Sequence, residues 1–447
     1  MSARKYTKWL ALGLCWLWMA GETLAQSSPN IIFILADDLS YRDLSIYGQQ
    51  RFQTPQLDLL GQQGLRFTQA YSAAPECAPS RGCLMTGLHT GHGPIRMNQS
   101  ARGQDHLYAE DLTIAEVLKQ KGYRTGMVGK WGIGVPGTKG VPYLQGFDYS
   151  FGYYDQARAH TYLPDFLWEN EEKILYPENQ GFEMARRYQY EQVQNTYDEQ
   201  GVWRVDELAD PYGYRYSANE MEARALQFLA AHDPNRTQQP FFLYLATQLP
   251  HGPVMVDSLR EMAHPDSVDQ TSREWAAMVM KLDRMVGRLL SELKARGLYE
   301  NTVIFFASDN GYSMSGYTPR GNGPLWPDDP WLRNKGPFEG GKFSVLEGGC
   351  RVPLLIHWPG KIRPAIIDQH VWLPDFFPTA VELAGGSAEQ YQTDGLSWLP
   401  LFDGEVADFP GHPYLYFSKG PEQALRMGPW KAYRKSPAQP LQLYLIN

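Results

Sequence analysis

The chain has 447 residues, of which 43% are hydrophobic and 20% are charged, and these proportions exclude a disordered chain. The length predicts one large domain and one smaller domain. A formal net charge of −8 excludes a general attraction to nucleic acid or to an anionic membrane surface, so an anionic ligand needs a few focused cations.

Residues 1–25 have the pattern of a signal peptide. Three basic residues precede an apolar run at residues 9–20, which is too short to span a bilayer. The following Thr23-Leu24-Ala25 resembles a small-residue cleavage site. We therefore expect an exported protein, periplasmic or secreted, without a membrane segment after cleavage.

The rest of the chain alternates between predicted strands and helices, which indicates an α/β fold. Capping boxes at residues 113–116 and 271–274 predict the starts of two helices, the second long and amphipathic. Continuous apolar segments, typical of buried strands, lie at residues 31–36, 125–128, 241–247 and 303–307.

Polar residues follow these predicted strands. In an open α/β sheet, ligands bind beyond the carboxyl ends of the strands, so the residues can converge on one crevice. The alternative is that Asp and Asn only end the strands as turn-forming residues. The acidic doublet after the first strand favours the crevice, whose predicted members are Asp37, Asp38, Lys130, His251, Asp309 and Asn310.

The acidic and amide residues of this set indicate a hard divalent cation. Three carboxylates and one amide oxygen suit calcium or magnesium, and they lack the His and Cys content of a zinc site. Three carboxylates cannot sit together unpaired without a cation to hold them. We therefore expect a cation that also presents a positive surface to an anionic substrate.

Cys77 is the candidate nucleophile. In Cys77-Ala78-Pro79-Ser80-Arg81, the proline fits the first turn of a helix, which places the cysteine at the positive helix end. A thiol there is expected to be acidified and reactive. The alternative is a small buried hydrophobic residue, which is also our interpretation of Cys83 and Cys350.

The segment around Cys77 resembles the signature of the sulfatase family. That signature is Cys-x-Pro-Ser-Arg, with Thr-Gly beginning five residues after the arginine. Any one motif is weak, but the joint match over roughly residues 29–435 is specific. The further motifs, in the family's order, are Asn30 to Asp38, Gly129-Lys130-Trp131, Pro250-His251, Ser308-Asp309-Asn310-Gly311, and Lys342 before Glu347-Gly348-Gly349.

The resemblance implies an alkaline-phosphatase-like fold, which is a large mixed, mainly parallel sheet between helices. It implies a catalytic domain at residues 26–385 and a small C-terminal subdomain with an antiparallel sheet at residues 386–447. The family pattern usually continues past the Leu-Tyr-x-Leu stretch at which this chain stops. We therefore expect a less stable small domain or a truncated sequence.

The resemblance also implies the nucleophile and the metal. In the family, the cysteine at the position of Cys77 is oxidised to Cα-formylglycine by a formylglycine-generating or sulfatase-maturing enzyme. A hydroxyl of the aldehyde hydrate then attacks the sulfur of a sulfate ester. The implied ligands of one Ca²⁺, or of Mg²⁺, are Asp37, Asp38, Cys77, Asp309 and Asn310.

Cationic residues and a histidine complete the implied site. Arg81, Lys130 and Lys342 would offset charge on the sulfuryl oxygens, and Arg81 would also hold the hydrate. His251 would donate a proton to the sulfate or to the leaving alcohol. The substrate is a small-molecule or oligosaccharide sulfate ester.

One position departs from the family pattern. Many members have a His two residues after the active-site lysine, which is credited with taking a proton from the hydrate, and this chain has Gly132 there. His160 is our candidate for the substitute. Its alternative roles are substrate contact or local hydrogen bonding in a loop.

Aromatic residues are dense in residues 147–217 and 323–338. They can line a cleft for a sugar or an aryl ring, or they can pack a satellite core. The export signal and the aromatic content favour a carbohydrate sulfate ester. The residues are Phe151, Tyr153, Tyr154, Tyr162, Phe166, Trp168, Tyr188, Trp203, Trp326, Trp331 and Phe338.

Two other functions stay open. A phosphodiesterase or phosphonate monoester hydrolase of the same fold usually has more His and Asp for a second metal, whereas one such set is visible here. A catalytically impaired binding protein is favoured by Gly132 and the short C-terminus. The intact Cys77 signature argues against that second alternative.

Overall fold

The computed structural model describes residues 28–99, 103–180, 196–204, 210, 212–237, 239–264, 268, 270–313, 338–404 and 406–446. The predicted signal peptide lies outside the described residues, as do the aromatic residues Tyr188, Trp326 and Trp331. In the described part of the chain, every helix is too short or too polar to traverse a lipid bilayer.

Strands and helices alternate along the described chain. The strands are, in order, β1 Asn30–Ala36, β2 Leu65–Phe67, β3 Ala70–Tyr71, β4 Arg124–Lys130, β5 Tyr149–Tyr153, β6 Phe166–Glu169, β7 Glu172–Leu175, β8 Thr196–Tyr197, β9 Trp203–Arg204, β10 Phe241–Ala246, β11 Thr302–Ser308, β12 Leu354–His357, β13 Ala365–Ile367, β14 Val371–Trp372, β15 Leu415–Lys419, β16 Glu422–Met427, β17 Trp430–Arg434 and β18 Gln442–Leu445. The α-helices are α1 Pro55–Gln62, α2 Cys77–Thr86, α3 Ile114–Gln120, α4 Ser217–Ala231, α5 Pro234–Thr237, α6 Gln270–Ala295, α7 Glu347–Cys350 and α8 Phe376–Leu383.

A ten-stranded mixed sheet forms the centre of the molecule, in the order β13-β2-β12-β11-β1-β10-β4-β5-β6-β7. Its five middle strands, from β11 to β5, are mutually parallel. Antiparallel strands extend the sheet on both sides. Their arrangement brings the carboxyl ends of the parallel strands to one edge.

Helices cover both faces of this sheet. Alternate residues of β1 point to opposite faces, so Ile32 and Ile34 join one apolar cluster while Phe33 and Leu35 join another. The first cluster contains side chains of α1, α4 and α6, and the second contains side chains of α2, α3 and α8. Burial on both faces explains why the strand is a continuous apolar run.

A separate antiparallel sheet, in the order β15-β16-β17-β18, forms the C-terminal part. A third apolar cluster joins it to the main body through Phe417, Ala424 and Tyr71. Cys83 and Cys350 belong to this cluster and are buried and unpaired. The predicted α/β fold with a small C-terminal antiparallel sheet is therefore confirmed.

The two predicted helix starts have different outcomes. Thr113 forms the predicted capping box with Glu116 at the start of α3. The box predicted at residues 271–274 is wrong, because α6 begins at Gln270 and Thr271 therefore lies inside its first turn. A Thr-x-x-Glu spacing also occurs within helices, so spacing alone does not fix a helix start.

Candidate active site

Four neighbouring strands deliver the predicted residues to one edge of the sheet. Strands β11, β1, β10 and β4 are adjacent and parallel, so the segments after them lie side by side. Asp37, Lys130, His251 and Asp309 are each at most 1% exposed. Lys342, from the loop before α7, completes this crevice and is also buried.

Asp38 has an unusual backbone conformation, with a φ of +62°. This left-handed conformation is uncommon for a residue other than glycine and marks local strain. Hydrogen bonds hold it: the N–H of Asp38 donates to Asp309 Oδ1 at 3.2 Å, and the N–H of Leu39 donates to Ser308 Oγ at 2.9 Å. The ends of β1 and β11 are thereby tied together, and the turn directs the Asp38 carboxylate towards Asn310, whose Nδ2 donates to it at 2.7 Å.

Each crevice carboxylate has a cationic partner within the protein. Asp37 Oδ2 lies 2.6 Å from Lys130 Nζ, Asp38 Oδ1 lies 2.6 Å from Lys342 Nζ, and Asp309 Oδ2 lies 2.7 Å from an Arg81 nitrogen. The cations that hold the three carboxylates together in the structure are therefore side chains of the protein itself. Their formal charges are already balanced, and the argument for a cation depends on other atoms.

Two buried oxygens supply that argument. Asp38 Oδ2 and Asn310 Oδ1 have no hydrogen-bond partner among the described residues. Both are acceptors without a donor, and such oxygens are the ligands that Ca²⁺ and Mg²⁺ prefer. Ligand atoms of Asp37, Asp38, Cys77 and His251 also lie within 4.8 Å of one another. The residues present therefore fit a divalent cation.

The ionisable groups of the crevice differ in the direction in which their pKa values are shifted. Burial opposes ionisation of Asp37, yet Lys130 and its cationic neighbours hold the pKa of this carboxyl below its usual range. Burial and the adjacent Asp37 raise the pKa of Asp309 to about 6. Burial favours a neutral Lys342, but Asp38 raises the pKa of this ammonium well above its usual value. Asp37 consequently stays ionised, and Lys342 keeps its proton.

Cys77 is the first residue of α2 and is completely buried. Its thiol donates to Asp37 Oδ1, with Sγ at 3.5 Å. The expected acidification is wrong: burial raises the pKa of the thiol to about 12, and Lys130 and Lys342 offset this only in part. An unmodified thiol in this position is a weak nucleophile.

Arg81 links two sides of the crevice. Its Nε and Nη2 donate to Asp309 Oδ2 at 3.0 and 2.7 Å, and its Nη1 donates to the carbonyl of Lys130 at 2.5 Å. The guanidinium is completely buried and is held by these contacts in one orientation. Arg81 therefore presents a fixed positive charge one helical turn after Cys77.

Asn98 is a positioning residue that the sequence did not indicate. Its Oδ1 accepts from the N–H of Ala78 at 2.8 Å, and its own N–H donates to Glu76 Oε2 at 3.3 Å. These contacts satisfy a backbone donor in the first turn of α2. The sequence around Asn98, Asn98-Gln99-Ser100, contains no signal that links it to this helix.

His251 accepts a hydrogen bond from Lys342. Its Nδ1 faces the carbonyl of Gly252, which can only accept, so the proton lies on Nδ1. Its Nε2 therefore accepts from Lys342 Nζ at 2.9 Å. Burial lowers the pKa of His251 to about 4, which agrees with a neutral ring. His160 stacks on this ring, with centroids 4.3 Å apart and planes within 7°.

Most of the predicted cleft aromatics belong to the core. Five of them are at most 2% exposed and cannot stack on a sugar, namely Phe151, Tyr153, Tyr154, Tyr162 and Trp203. Phe166 and Trp168 are half-buried. Lys173 Nζ lies over both of these rings, at 4.4 and 5.3 Å from their centroids. The satellite-core interpretation therefore holds for the buried set.

The crevice at the carboxyl ends of the parallel strands has the groups typical of metal-dependent hydrolases of anionic esters. These groups are carboxylate and amide oxygens, two lysines and an arginine. The family model named Sulfatase matches residues 29–387, and the chain belongs to the sulfatase family. Its function is accordingly that of a sulfatase, an enzyme that hydrolyses sulfate esters.

Known proteins agree with this assignment. Human arylsulfatase A is 32% identical over 435 residues, which cover 93% of this chain and 76% of that protein. Dog N-acetylgalactosamine-6-sulfatase is 30% identical over 424 residues, which cover 92% and 73%. The crystal structure of Ps i-CgsB in complex with k-i-k-neocarrahexaose is 30% identical, with a TM-score of 0.72, over 93% of this chain and 86% of that one.

Proposed function

We propose that this sulfatase hydrolyses a sulfate monoester of a carbohydrate, using a formylglycine made from Cys77 and a bound divalent cation. One observation carries the proposal: the Cys77 thiol contacts Asp37 inside the cluster in which Asp38 Oδ2 and Asn310 Oδ1 have no partner among the described residues. A formylglycine at this position would supply a hydroxyl nucleophile through its hydrate, whereas the weakly acidic Cys77 thiol is a poor nucleophile.

Asp37, Asp38, Asp309 and Asn310, together with the modified residue 77, would hold the cation. Ca²⁺ takes six to eight oxygen ligands and Mg²⁺ takes six, so we propose one Ca²⁺, with Mg²⁺ as the alternative. The bound cation supplies positive charge to the sulfate group. Because Lys130, Lys342 and Arg81 already balance the three carboxylates, a dication leaves the crevice with a net positive charge.

The remaining residues have distinct proposed roles. Arg81 and Lys130 hold sulfuryl oxygens with fixed charges, because their own positions are set by Asp309 and Asp37. Lys342 keeps its proton, donates to His251 Nε2 and is proposed to offset charge on the sulfuryl oxygens. His251 is proposed to deliver a proton to the leaving alcohol, which the neutral ring must first take up from water. His160, stacked on His251, is the proposed acceptor in place of the His missing at Gly132.

The substrate and cellular context rest on the relatives and on the sequence. The carbohydrate is proposed because N-acetylgalactosamine-6-sulfatase and the oligosaccharide complex of Ps i-CgsB are similar to this chain. Residues 1–25 are proposed to direct export, followed by a catalytic domain at 26–385 and a subdomain at 386–447. Conversion of Cys77 requires a formylglycine-generating or sulfatase-maturing enzyme in the host.

The mass of the tryptic peptide containing residues 67–81 tests the nucleophile directly. In protein from the native host, formylglycine exchanges the elements of hydrogen sulfide for one oxygen. A dominant lighter peptide, together with turnover of 4-methylumbelliferyl sulfate, supports the proposal. An intact thiol together with metal binding and no turnover would instead support the binding-protein alternative. Faster turnover of a phosphonate monoester than of a sulfate ester would favour the phosphonate hydrolase.

His160→Ala tests the substitute for the missing histidine. If His160 accepts the proton, this variant loses turnover and its pH–rate profile changes shape. Full activity with an unchanged profile removes the role. His232→Ala is the matched control, because the His232 ring lies against Phe228, with centroids 4.4 Å apart and planes tilted by 30°, and its Nδ1 bonds to the carbonyl of Phe228 at 3.0 Å.

A further inference from the structure

Gln156 has a buried side-chain amide with unsatisfied hydrogen-bonding atoms. The residue is 5% exposed, and neither Nε2 nor Oε1 has a hydrogen-bond partner within the described part of the chain. Buried amides in native proteins are nearly always satisfied, since an unpaired one loses the hydrogen bonds it made with water. An exception beside an active site indicates a ligand that completes the set.

The amide lies beside Gly132, the position that departs from the family pattern. A Cβ at Gly132 would lie 2.6 Å from Gln156 Oε1 and 3.7 Å from Arg81 Cδ. The φ of Gly132 is +77°, a conformation that favours glycine. Gln156 therefore occupies the volume that a side chain at position 132 would enter, next to the arginine that binds Asp309.

Backbone pairing fixes this position. The N–H groups of Trp131 and Gly132 donate to the carbonyls of Tyr153 and Tyr154, at 2.8 and 3.3 Å, so the pairing of β4 with β5 continues beyond both strands. Asp155 Oδ1 then accepts from the N–H groups two and three residues later, at 2.7 and 2.8 Å. The backbone that carries Gln156 is thus held in place before a ligand arrives.

We propose that Gln156 is a substrate-contacting residue of this sulfatase, whose Nε2 donates to an oxygen of the bound sulfate group. The inference rests on the proposed function and concerns the same crevice. A sulfate oxygen can only accept, so it satisfies Nε2. Oε1 needs a donor, and a hydroxyl next to the sulfate on a sugar ring provides one. An amide does not titrate, so Gln156 binds and orients the substrate but takes no proton.

Two substitutions of similar size test the contact. Gln156→Glu keeps acceptor oxygens but removes the donor and adds a negative charge, whereas Gln156→Met removes all polar atoms. A hydrogen bond to a charged group corresponds to about 10- to 100-fold in affinity. We expect the methionine variant to lose this factor in kcat/KM for 4-methylumbelliferyl sulfate, through KM, with an unchanged pH profile. The glutamate variant should lose more and should bind inorganic sulfate more weakly.

Stability separates this role from a structural one. Because the amide has no hydrogen-bond partner to lose among the described residues, Gln156→Met should keep or raise the melting temperature while activity falls. The matched control is Gln145→Met: Gln145 is also buried, and although its Oε1 has no partner among the described residues, its Nε2 donates to the carbonyls of Tyr108 and Lys139 at 3.0 and 2.9 Å. That variant should lose stability and keep the KM of its folded fraction.

Failure of this inference is distinguishable from failure of the proposed function. If the wild type hydrolyses the sulfate ester and both Gln156 variants match it within twofold, the inference is overturned and the function stands. If the wild type hydrolyses no sulfate ester, the proposed function fails. Calorimetric titration with inorganic sulfate then tests whether Gln156 contacts a bound sulfate group. Equal or absent sulfate binding in wild type and Gln156→Glu overturns it.

Discussion

Two buried ionic networks in this molecule differ in how completely their atoms are satisfied. In the crevice, Asp38 Oδ2 and Asn310 Oδ1 have no hydrogen-bond partner among the described residues. In the network that attaches the C-terminal sheet, Glu347 Oε1 accepts from Lys431 Nζ at 2.9 Å, and Oε2 accepts from Tyr71 at 2.9 Å. Burial of charge is common to both, so it does not identify the functional site.

Satisfaction of the oxygens is the better criterion. A complete network such as that of Glu347 has nothing left to offer a ligand, and its buried carboxylate keeps a lowered pKa, because Lys431 outweighs the opposing effect of burial. In an incomplete network, the unpaired buried atoms destabilise the folded protein until a ligand binds to them. We therefore expect the crevice to respond to metal and substrate, and the Glu347 network to respond only to loss of its own members.

The largest expected effect is that of Asp38→Asn. The substitution removes a carboxylate from the proposed cation site and the partner of Lys342, while it keeps the side-chain size. We expect kcat/KM to fall by at least about 10³-fold, because charge stabilisation at the sulfate is lost. Steady-state kinetics and titration with Ca²⁺ measure this. A variant that still bound Ca²⁺ with wild-type affinity would remove Asp38 from the ligand set.

Metal removal tests the same site without a mutation. Chelation with EDTA should abolish turnover, and added Ca²⁺ should restore it. A ligand that binds only the folded state stabilises it by about 2.7 kcal/mol at 100 times its Kd, so the melting temperature should fall on chelation and recover. The Asp38→Asn variant should show no such shift. Equal melting temperatures of the wild type with and without Ca²⁺ would contradict the proposed cation.

The arrangement of the crevice was largely predictable from the sequence. The apolar runs of β1, β10 and β11 are local signals, and parallel strands bring the residues after them to one edge. These two observations were sufficient to predict that Asp37 and Asp309 lie in one crevice. The sheet order was not predictable in this way, because it depends on which strands pair across the whole chain.

Other features depend on contacts between distant segments and gave no local signal. Cys77 lies at a helix start, as predicted, but its thiol is governed by complete burial, which sequence position does not reveal. Gln156 enters the space beside Gly132 only because two strands continue to pair beyond their ends. Likewise, Glu347 and Lys431 are 84 residues apart and meet only once the C-terminal sheet has docked.

Lys431→Met should produce the largest loss of stability among these predictions. It leaves a buried carboxylate at Glu347 without its main cation, and breaking a buried ion pair in this way costs about 3–5 kcal/mol. Denaturant unfolding measures the loss, and kcat/KM of the folded fraction should change little. The double variant with Glu347→Gln should recover part of the stability. A selective loss of activity would place this network in the active site instead.

His370, which lies next to the Glu347 network, should make the stability of the C-terminal sheet fall at acid pH. Burial and then Arg426 lower the pKa of His370 to about 4, and Arg351 adds to this, whereas Glu347 and Asp368 oppose it. The unfolded chain takes up this proton near its ordinary value of 6.5, so the contribution of His370 is fully present above pH 6.5 and is lost as the pH falls towards 4.

His370→Gln tests that assignment, because it keeps an acceptor for Arg426 Nε, which donates to His370 Nε2 at 3.3 Å. Unfolding curves between pH 4 and 7 should show a shallower acid loss in the variant than in the wild type. Parallel pH profiles would mean that other groups cause the loss. The crevice should not contribute to this difference, since the variant leaves its residues unchanged.

Asp283, in α6, lies outside both networks and shows the effect of burial on a single carboxylate. Its Oδ1 accepts from the N–H groups of Gln56 and Leu57 at 3.0 and 2.8 Å, but burial outweighs these bonds and raises its pKa to about 6. The folded state therefore binds the proton more tightly than the unfolded chain. The stability that this provides is fully present below pH 3.8 and is lost as the pH rises through 6.

Asp283→Asn should therefore stabilise the protein near neutral pH, by about 1–3 kcal/mol, since it removes the charge while an oxygen remains for both N–H donors. The gain should shrink as the pH falls from 6 to 4, where the wild-type carboxyl is protonated in the folded state. Unfolding at pH 7.5 and at pH 4.5 measures the difference. A variant that is less stable than the wild type at pH 7.5 would show that the two N–H donors require the full negative charge of Asp283. The hydrogen bonds to this carboxylate would then contribute more to stability than burial of its charge costs, even without a cationic partner.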